Sequence, residues 1–298
     1  CSRRELLDDY PVSGVDIKLD WNGVTDKLPE GVRVIFYPKS AEGRKIDTYL
    51  SVRGGKVKVP PGRYSVVAYN YDTETVQIRG EEAYETIEAF TGYCNGLGIA
   101  GTEKMVWGPD PLYVVQINDL HIANSEEELL LDWKPKLVVK TYSFKIKVEG
   151  LEYVSSIVGS VEGMAGCYCL GRCCGMMNDA PIYFEAQGCS GEVTGSFTAF
   201  GLPEGAMSRA SLAIKFTLAF VKVDNTVQKI EVDITDVIVN SESGEGGGND
   251  EPSKDIELPL DDDEVKVDKP ENSSGGDGGI GGDVGDWGEE EEVPLPVI

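Results

Sequence analysis

Leu212-Ala213-Ile214-Lys215-Phe216-Thr217-Leu218-Ala219-Phe220 sets an apolar side chain at every even position, and after Asp224-Asn225 a second run follows from Val227 to Ile234. Successive side chains of a strand point to opposite faces, so a period of two predicts a strand with one buried face. Asp and Asn accept turn geometry that larger residues resist. The two runs therefore predict a β-hairpin.

The same pattern extends upstream. Tyr142-Ser143-Phe144-Lys145-Ile146-Lys147-Val148 puts apolar residues on one face and lysines on the other. Strands are expected near 157–163, 181–187 and 192–200, with one helical turn at Leu151–Ser155. Because the pattern restarts at about 141, a C-terminal domain is expected over 141–239 and an N-terminal one over 13–140. In the latter, Val15, Ile17, Leu19 and Trp21 alternate with Asp16, Lys18 and Asp20, and Val32, Val34 and Phe36 with Arg33 and Ile35. Lys56–Val59 leads through Pro60-Pro61-Gly62 into Arg63–Asn70, which predicts a hairpin turn, since Pro presets φ and Gly accepts positive φ. Helical periodicity is weak and confined to Glu81–Ala89 and Glu126–Leu131. Many short strands with turn signals indicate an all-β chain of two tandem β-sandwich domains.

Residues 240–298 differ in kind. They hold 19 acidic and 3 basic residues, a net of −16 out of the whole chain's −25, and 12 of the 36 glycines. Such a composition buries little apolar surface and reads as an acidic, Gly-rich segment. Within it, Ile256, Leu258 and Leu260 alternate, as do Val293, Leu295 and Val297. Segments 256–260 and 287–297 are thus expected to return as edge strands, where the prolines they contain are tolerated.

The 298 residues are 41% hydrophobic, enough for a core in each of two domains. A surface this acidic repels phosphate backbones, so nucleic acid is not an expected partner. A single His, His121, excludes multi-His metal sites and leaves little room for triad chemistry. It stands out of phase with Leu120 and Ile122, and no catalytic residue is assigned. Paired carboxylates for glycoside hydrolysis cannot be singled out among 52 acids. Asp261–Glu264, Glu289–Glu292 and the single Gly278–Asp283 motif offer oxygen ligands, but a calcium repeat needs tandem copies. No run of about 18 apolar residues is present, so no membrane-spanning helix is expected.

Five cysteines fall in the C-terminal half: Cys167, Cys169, Cys173, Cys174 and Cys189. Their spacing is not that of a zinc ribbon or finger, and no metal or other cofactor is expected. In an oxidising compartment they are candidates for local disulfides, with connectivity open. Trp21, Trp107, Trp133 and Tyr113 could stack on sugars, which makes glycan binding the alternative function, although core packing explains such residues more often. Cys1-Ser2-Arg3-Arg4 suggests a trimmed amino terminus; Cys1 is read as the lipid-bearing first residue of a bacterial lipoprotein rather than a chance boundary.

Cys1–Leu7, Val15–Trp21, Gly31–Pro38 and Pro61–Asn70 occur in order and together resemble the fimbrillin-like lipoproteins of Bacteroidales, relatives of the minor fimbrial anchor subunits. The resemblance continues through Thr141–Gly150, Gly163–Gly166 and Asp286–Leu295. It implies two transthyretin-like (Greek-key) domains, a lipid on Cys1, residues 1–12 as a tether, and attachment to the outer membrane, commonly facing outward. It further implies a non-enzymatic role in fimbrial assembly or adhesion, with fimbrial subunits as partners through strand exchange at sheet edges. Asp8-Asp9 fit an acidic export signal near the acylated residue.

Overall fold

The computed structural model describes residues 13–24, 27–94, 104–125, 127–177, 180–206, 213–243, 253–259 and 265–270. The strands of the N-terminal half are β1 (Ser13–Leu19), β2 (Gly31–Pro38), β3 (Ile46–Ser51), β4 (Gly54–Val59), β5 (Gly62–Asn70), β6 (Val76–Arg79), β7 (Glu88–Thr91), β8 (Tyr93–Cys94), β9 (Met105–Trp107), β10 (Tyr113–Ile122), β11 (Leu129–Trp133) and β12 (Lys136–Leu137). There follow β13 (Lys140–Glu149), β14 (Val154–Glu162), β15 (Ala165–Cys169), β16 (Cys174–Met177), β17 (Ile182–Cys189), β18 (Glu192–Ala199), β19 (Lys215–Lys222), β20 (Val227–Asp233), β21 (Ser253–Asp255) and β22 (Val265–Lys266). A 3-10 turn spans Leu151–Tyr153, and the helix α1 spans Thr235–Ser243. The chain is all-β.

Eight N-terminal strands form one sheet in the order β11-β1-β4-β3-β2-β5-β10-β12. Val15, Ile17, Leu19, Val32, Val34 and Phe36, the residues that alternation selects, are buried together with Val66 and Trp133. All the buried residues of this core come from the one sheet, which therefore curls around them. The expected hairpin at Pro60-Pro61-Gly62 does not form: β4 pairs with β1 and β3, β5 with β2 and β10. Two successive prolines lack the N–H groups a tight turn needs, so the chain crosses to the far side of β2 instead. The helical candidates also fail. Residues 81–87 are turns leading into β7, and the short Glu126–Leu131 run falls largely in β11, which pairs in parallel with β1 from Val15↔Leu129 to Leu19↔Trp133. A run that short cannot repay helix nucleation, whereas an open sheet edge accepts it at once.

The predicted hairpin is β19–β20, in register from Lys215↔Asp233 to Val221↔Val227. Its turn places Asn225 at φ 64°, and the Asp224 carboxylate accepts the Thr226 N–H at 3.0 Å. The sheet containing it runs β20-β19-β14-β17-β18-β13-β21. Tyr142, Phe144, Phe184, Phe197 and Phe216 cluster in its core, the rings of Phe144 and Phe216 meeting edge to face at 5.0 Å. The helix α1 was not read from the sequence. Its start is fixed by Asp233, whose carboxylate accepts the Thr235 N–H at 2.9 Å, and its Ile238 is fully buried.

The two halves exchange hairpins across residue 140. β15–β16 leaves the C-terminal half and joins β7 and β6 in a four-stranded sheet, with Cys167↔Phe90, Tyr168↔Ala89 and Cys169↔Glu88 in register. Ala165, Tyr168 and Leu170 thereby share a core with Ile35, Tyr37, Val67 and Ile87. In return β8–β9 joins the large sheet, β9 running parallel to β17. Cys94 and Met105 then pack on Ala219, so the β19 face that alternation leaves to solvent is covered.

Candidate assembly edge along β13

β13 is the last strand of the large sheet to pair along its whole length. On one side it meets β18 antiparallel, from Lys140↔Ala199 to Lys147↔Glu192. On the other side the returning C-terminal segment covers it in two short parallel pieces. Thr141, Tyr142 and Ser143 pair with Ser253, Lys254 and Asp255, and Val148 and Glu149 pair with Val265 and Lys266. Among the described residues of the segment, register pairing with β13 is confined to Ser253–Asp255 and Val265–Lys266.

Side chains compensate for the sparse ladder. Ile256, Leu258 and Val267 are at most 6% exposed and lie in the core with Tyr142, Phe144 and Phe197. The Ile256 N–H donates to the Ser143 carbonyl at 2.8 Å, and the Val267 N–H to the Glu149 carbonyl at 2.9 Å. The period-two pattern at Ile256 and Leu258 thus marks core side chains, whereas the strand pairing sits just before it, in β21. Leu260 lies outside the described residues.

Two polar clamps hold the segment and its approach. The Gln228 amide on β20 donates Nε2–H to the Lys266 carbonyl at 2.7 Å and accepts the Asp268 N–H at 3.0 Å. It links β20, at one end of the sheet, to β22 beside β13. Upstream, Glu242 at the end of α1 pairs with Lys140 and accepts the Tyr142 hydroxyl at 2.9 Å. Tyr142 is fully buried, and burial with the nearby carboxylate drives its phenol far above its ordinary range. Neither Gln228 nor Glu242 has a sequence signature, because each acts across the fold on a partner distant in the chain.

Parallel pairs are somewhat less stable per residue than antiparallel ones, and short edge pieces are the part of a sheet another strand most readily replaces. The arrangement is suited to binding an extended segment through main-chain hydrogen bonds, with pockets for Ile256, Leu258 and Val267 supplying selectivity.

The other candidate residues lie elsewhere. Cys1, the 287–297 strand and the Gly278–Asp283 motif fall outside the described residues, as do the acidic runs. Cys167, Cys169, Cys173 and Cys174 all sit on the exchanged β15–β16 hairpin, while Cys189 ends β17 in the large sheet, its thiol 3.5 Å from the Ser190 hydroxyl. Among the described residues no group of three His, Cys, Asp or Glu side chains is placed to hold a metal ion. His121 is exposed on β10. Trp133 is buried, and the Trp21 indole N–H donates to the Val52 carbonyl. Trp107, by contrast, is 40% exposed and meets Tyr183 edge to face at 5.5 Å. No helix among the described residues is long and apolar enough to cross a membrane.

Comparison with known proteins supports a fimbrial role. The whole chain is 57% identical to a Bacteroides ovatus protein whose name proposes a fimbrium anchoring subunit, Fim4B, covering 94% of that protein. A crystal structure of an adhesin candidate from Bacteroides ovatus ATCC 8483 matches with a TM-score of 0.76 at 56% identity, over 91% of this chain and 98% of that one. The fimbrial anchor protein Mfa2 from Porphyromonas gingivalis shares the fold, with a TM-score of 0.50 at 11% identity over 82% of this chain and 88% of that one. Residues 1–185 match the family described as Domain of unknown function (DUF5119). The chain is a member of that family and a relative of the minor fimbrial anchor subunits of Bacteroidales.

Proposed function

We propose that this protein is an outer-membrane surface lipoprotein that anchors a fimbrium, held in the membrane by lipid on Cys1 and joined to the next fimbrial subunit along the β13 edge. The observation that carries the reading is the cover on that edge: two short parallel pieces of the chain's own C-terminal segment, seated by three apolar side chains. A strand that pairs along the whole of β13 gains more ladder bonds than the two short pieces provide. Each half is read as a transthyretin-like Greek-key unit meeting near residue 140. In support, the curled-sheet core draws only on residues up to Trp133, and the aromatic core, Val106 aside, only on residues from Tyr142 onward. No catalytic step is assigned.

An anchor needs a firm hold on the bilayer, and several acyl chains on one residue provide it where a single chain does not. Replacing Cys1 by Ala is therefore expected to abolish labelling by a fatty-acid analogue, move the protein out of the membrane fraction and release fimbriae into the medium. Unlabelled protein that stays in the membrane fraction and still retains fimbriae defeats the anchor reading. Glycan binding remains the alternative, and Trp107, 40% exposed, is the residue of the candidate set that would stack on a sugar ring.

A further inference from the structure

Cys169 and Cys174 face each other across the last rung of the β15–β16 hairpin, with Leu170–Cys173 forming the turn between them. Directly opposed residues of an antiparallel pair lie ~4.5–5.5 Å apart at Cα and share a face, within the ~4.4–6.8 Å span a disulfide accepts. The neighbouring thiols are less well placed. Cys167 stands opposite Met176, Cys173 sits in the turn at φ 53°, and Cys189 belongs to another sheet. Cys169 Sγ lies 3.6 Å from the Glu85 carbonyl and Cys174 Sγ 3.5 Å from the Glu204 carboxylate, which also pairs with Arg172 of the turn at 3.1 Å.

We propose that Cys169 and Cys174 form a disulfide that closes the hairpin exchanged into the N-terminal half. The oxidant is a low-molecular-weight disulfide such as oxidised glutathione. The Cys174 thiolate, the more exposed of the two, attacks it and expels one glutathione thiolate. The Cys169 thiolate then attacks Cys174 Sγ and expels the second. Two protein thiols give up two protons and two electrons, and the glutathione disulfide becomes two glutathione thiols. The bond pins the end of β15 where Cys169 pairs with Glu88 of β7, so it secures the crossing between the halves. It does not depend on the fimbrial reading.

The test uses the purified, folded full chain with oxidised glutathione in mildly alkaline buffer, because burial and the Glu204 carboxylate push the Cys174 thiol up to about 11. Free thiols are then alkylated and the protein is digested with trypsin, which cuts after Arg172 and leaves the two cysteines on separate peptides. The expected result is a Cys169–Cys174 linked pair, lighter by two hydrogens than the separate peptides. It persists in Cys173→Ser and is lost in Cys174→Ser, while Cys94 and Cys189 stay alkylated. Alkylation of both Cys169 and Cys174 in wild type, or a link from either to Cys167 or Cys173, overturns the proposal. The wild-type map decides even where a variant folds poorly.

Discussion

Truncating the chain before Ser253 is expected to destabilise the C-terminal half severely and to expose the β13 edge. Ile256, Leu258 and Val267 are each nearly or fully removed from water, and burial of a side chain of that size contributes about 1.5–3 kcal/mol. Together they supply about 5–9 kcal/mol, against a total stability that is about 5–15 kcal/mol for an ordinary domain. Losing them also strips five paired positions from β13 and removes both partners of the Gln228 amide. Urea unfolding of the truncated protein should show a markedly lower midpoint for the C-terminal half. A synthetic peptide of residues 253–270, added in trans, should restore it, because the groove that receives Ile256, Leu258 and Val267 is left intact. An unchanged midpoint shows that the segment contributes little to the fold.

Leu170→Ala is expected to weaken the half of the molecule to which the residue does not belong by sequence. Leu170 is fully buried in the core built around Ile35, Val67 and Ile87, and its N–H donates to the Ile87 carbonyl at 3.0 Å. A buried Leu→Ala change costs about 2–5 kcal/mol through lost transfer energy and the cavity left behind. Amide hydrogen exchange locates the loss. Protection should fall in β6, β7 and the buried face of β2 and β5 at least as much as in β13 and β18. Loss confined to residues after 140 contradicts the exchange of hairpins.

These two expectations also mark how far the sequence could be read. Local alternation was sufficient for Val15–Leu19 and Tyr142–Val148, because a strand with one wet face carries its own period. It was not sufficient where both faces are covered. Ala165–Cys169 is buried at every position, and Ala219 is buried on the face its period leaves to solvent. In each case the covering element comes from the other half of the chain, which no local pattern records. The same limit applied to Pro60-Pro61-Gly62: a turn signal was visible, but not that β2 and β3 would lie between the strands it joins. For the assembly edge, the apolar pair Ile256 and Leu258 stood out against the acidic tail, whereas the clamps at Gln228 and Glu242 exist only once distant strands have met.

In the proposed function the next fimbrial subunit docks on the β13 edge and displaces the chain's own C-terminal segment. Ser143 and Asp255 are register partners on that edge, so Ser143→Cys with Asp255→Cys permits a covalent lock that keeps the segment in place. The decisive measurement is co-purification of fimbrial subunits with the locked, membrane-held protein, oxidised and then reduced. Subunits should be absent from the oxidised protein and return on reduction. Equal recovery of subunits in both states would contradict the claim, since a partner that binds with the segment fixed in place does not use the β13 edge.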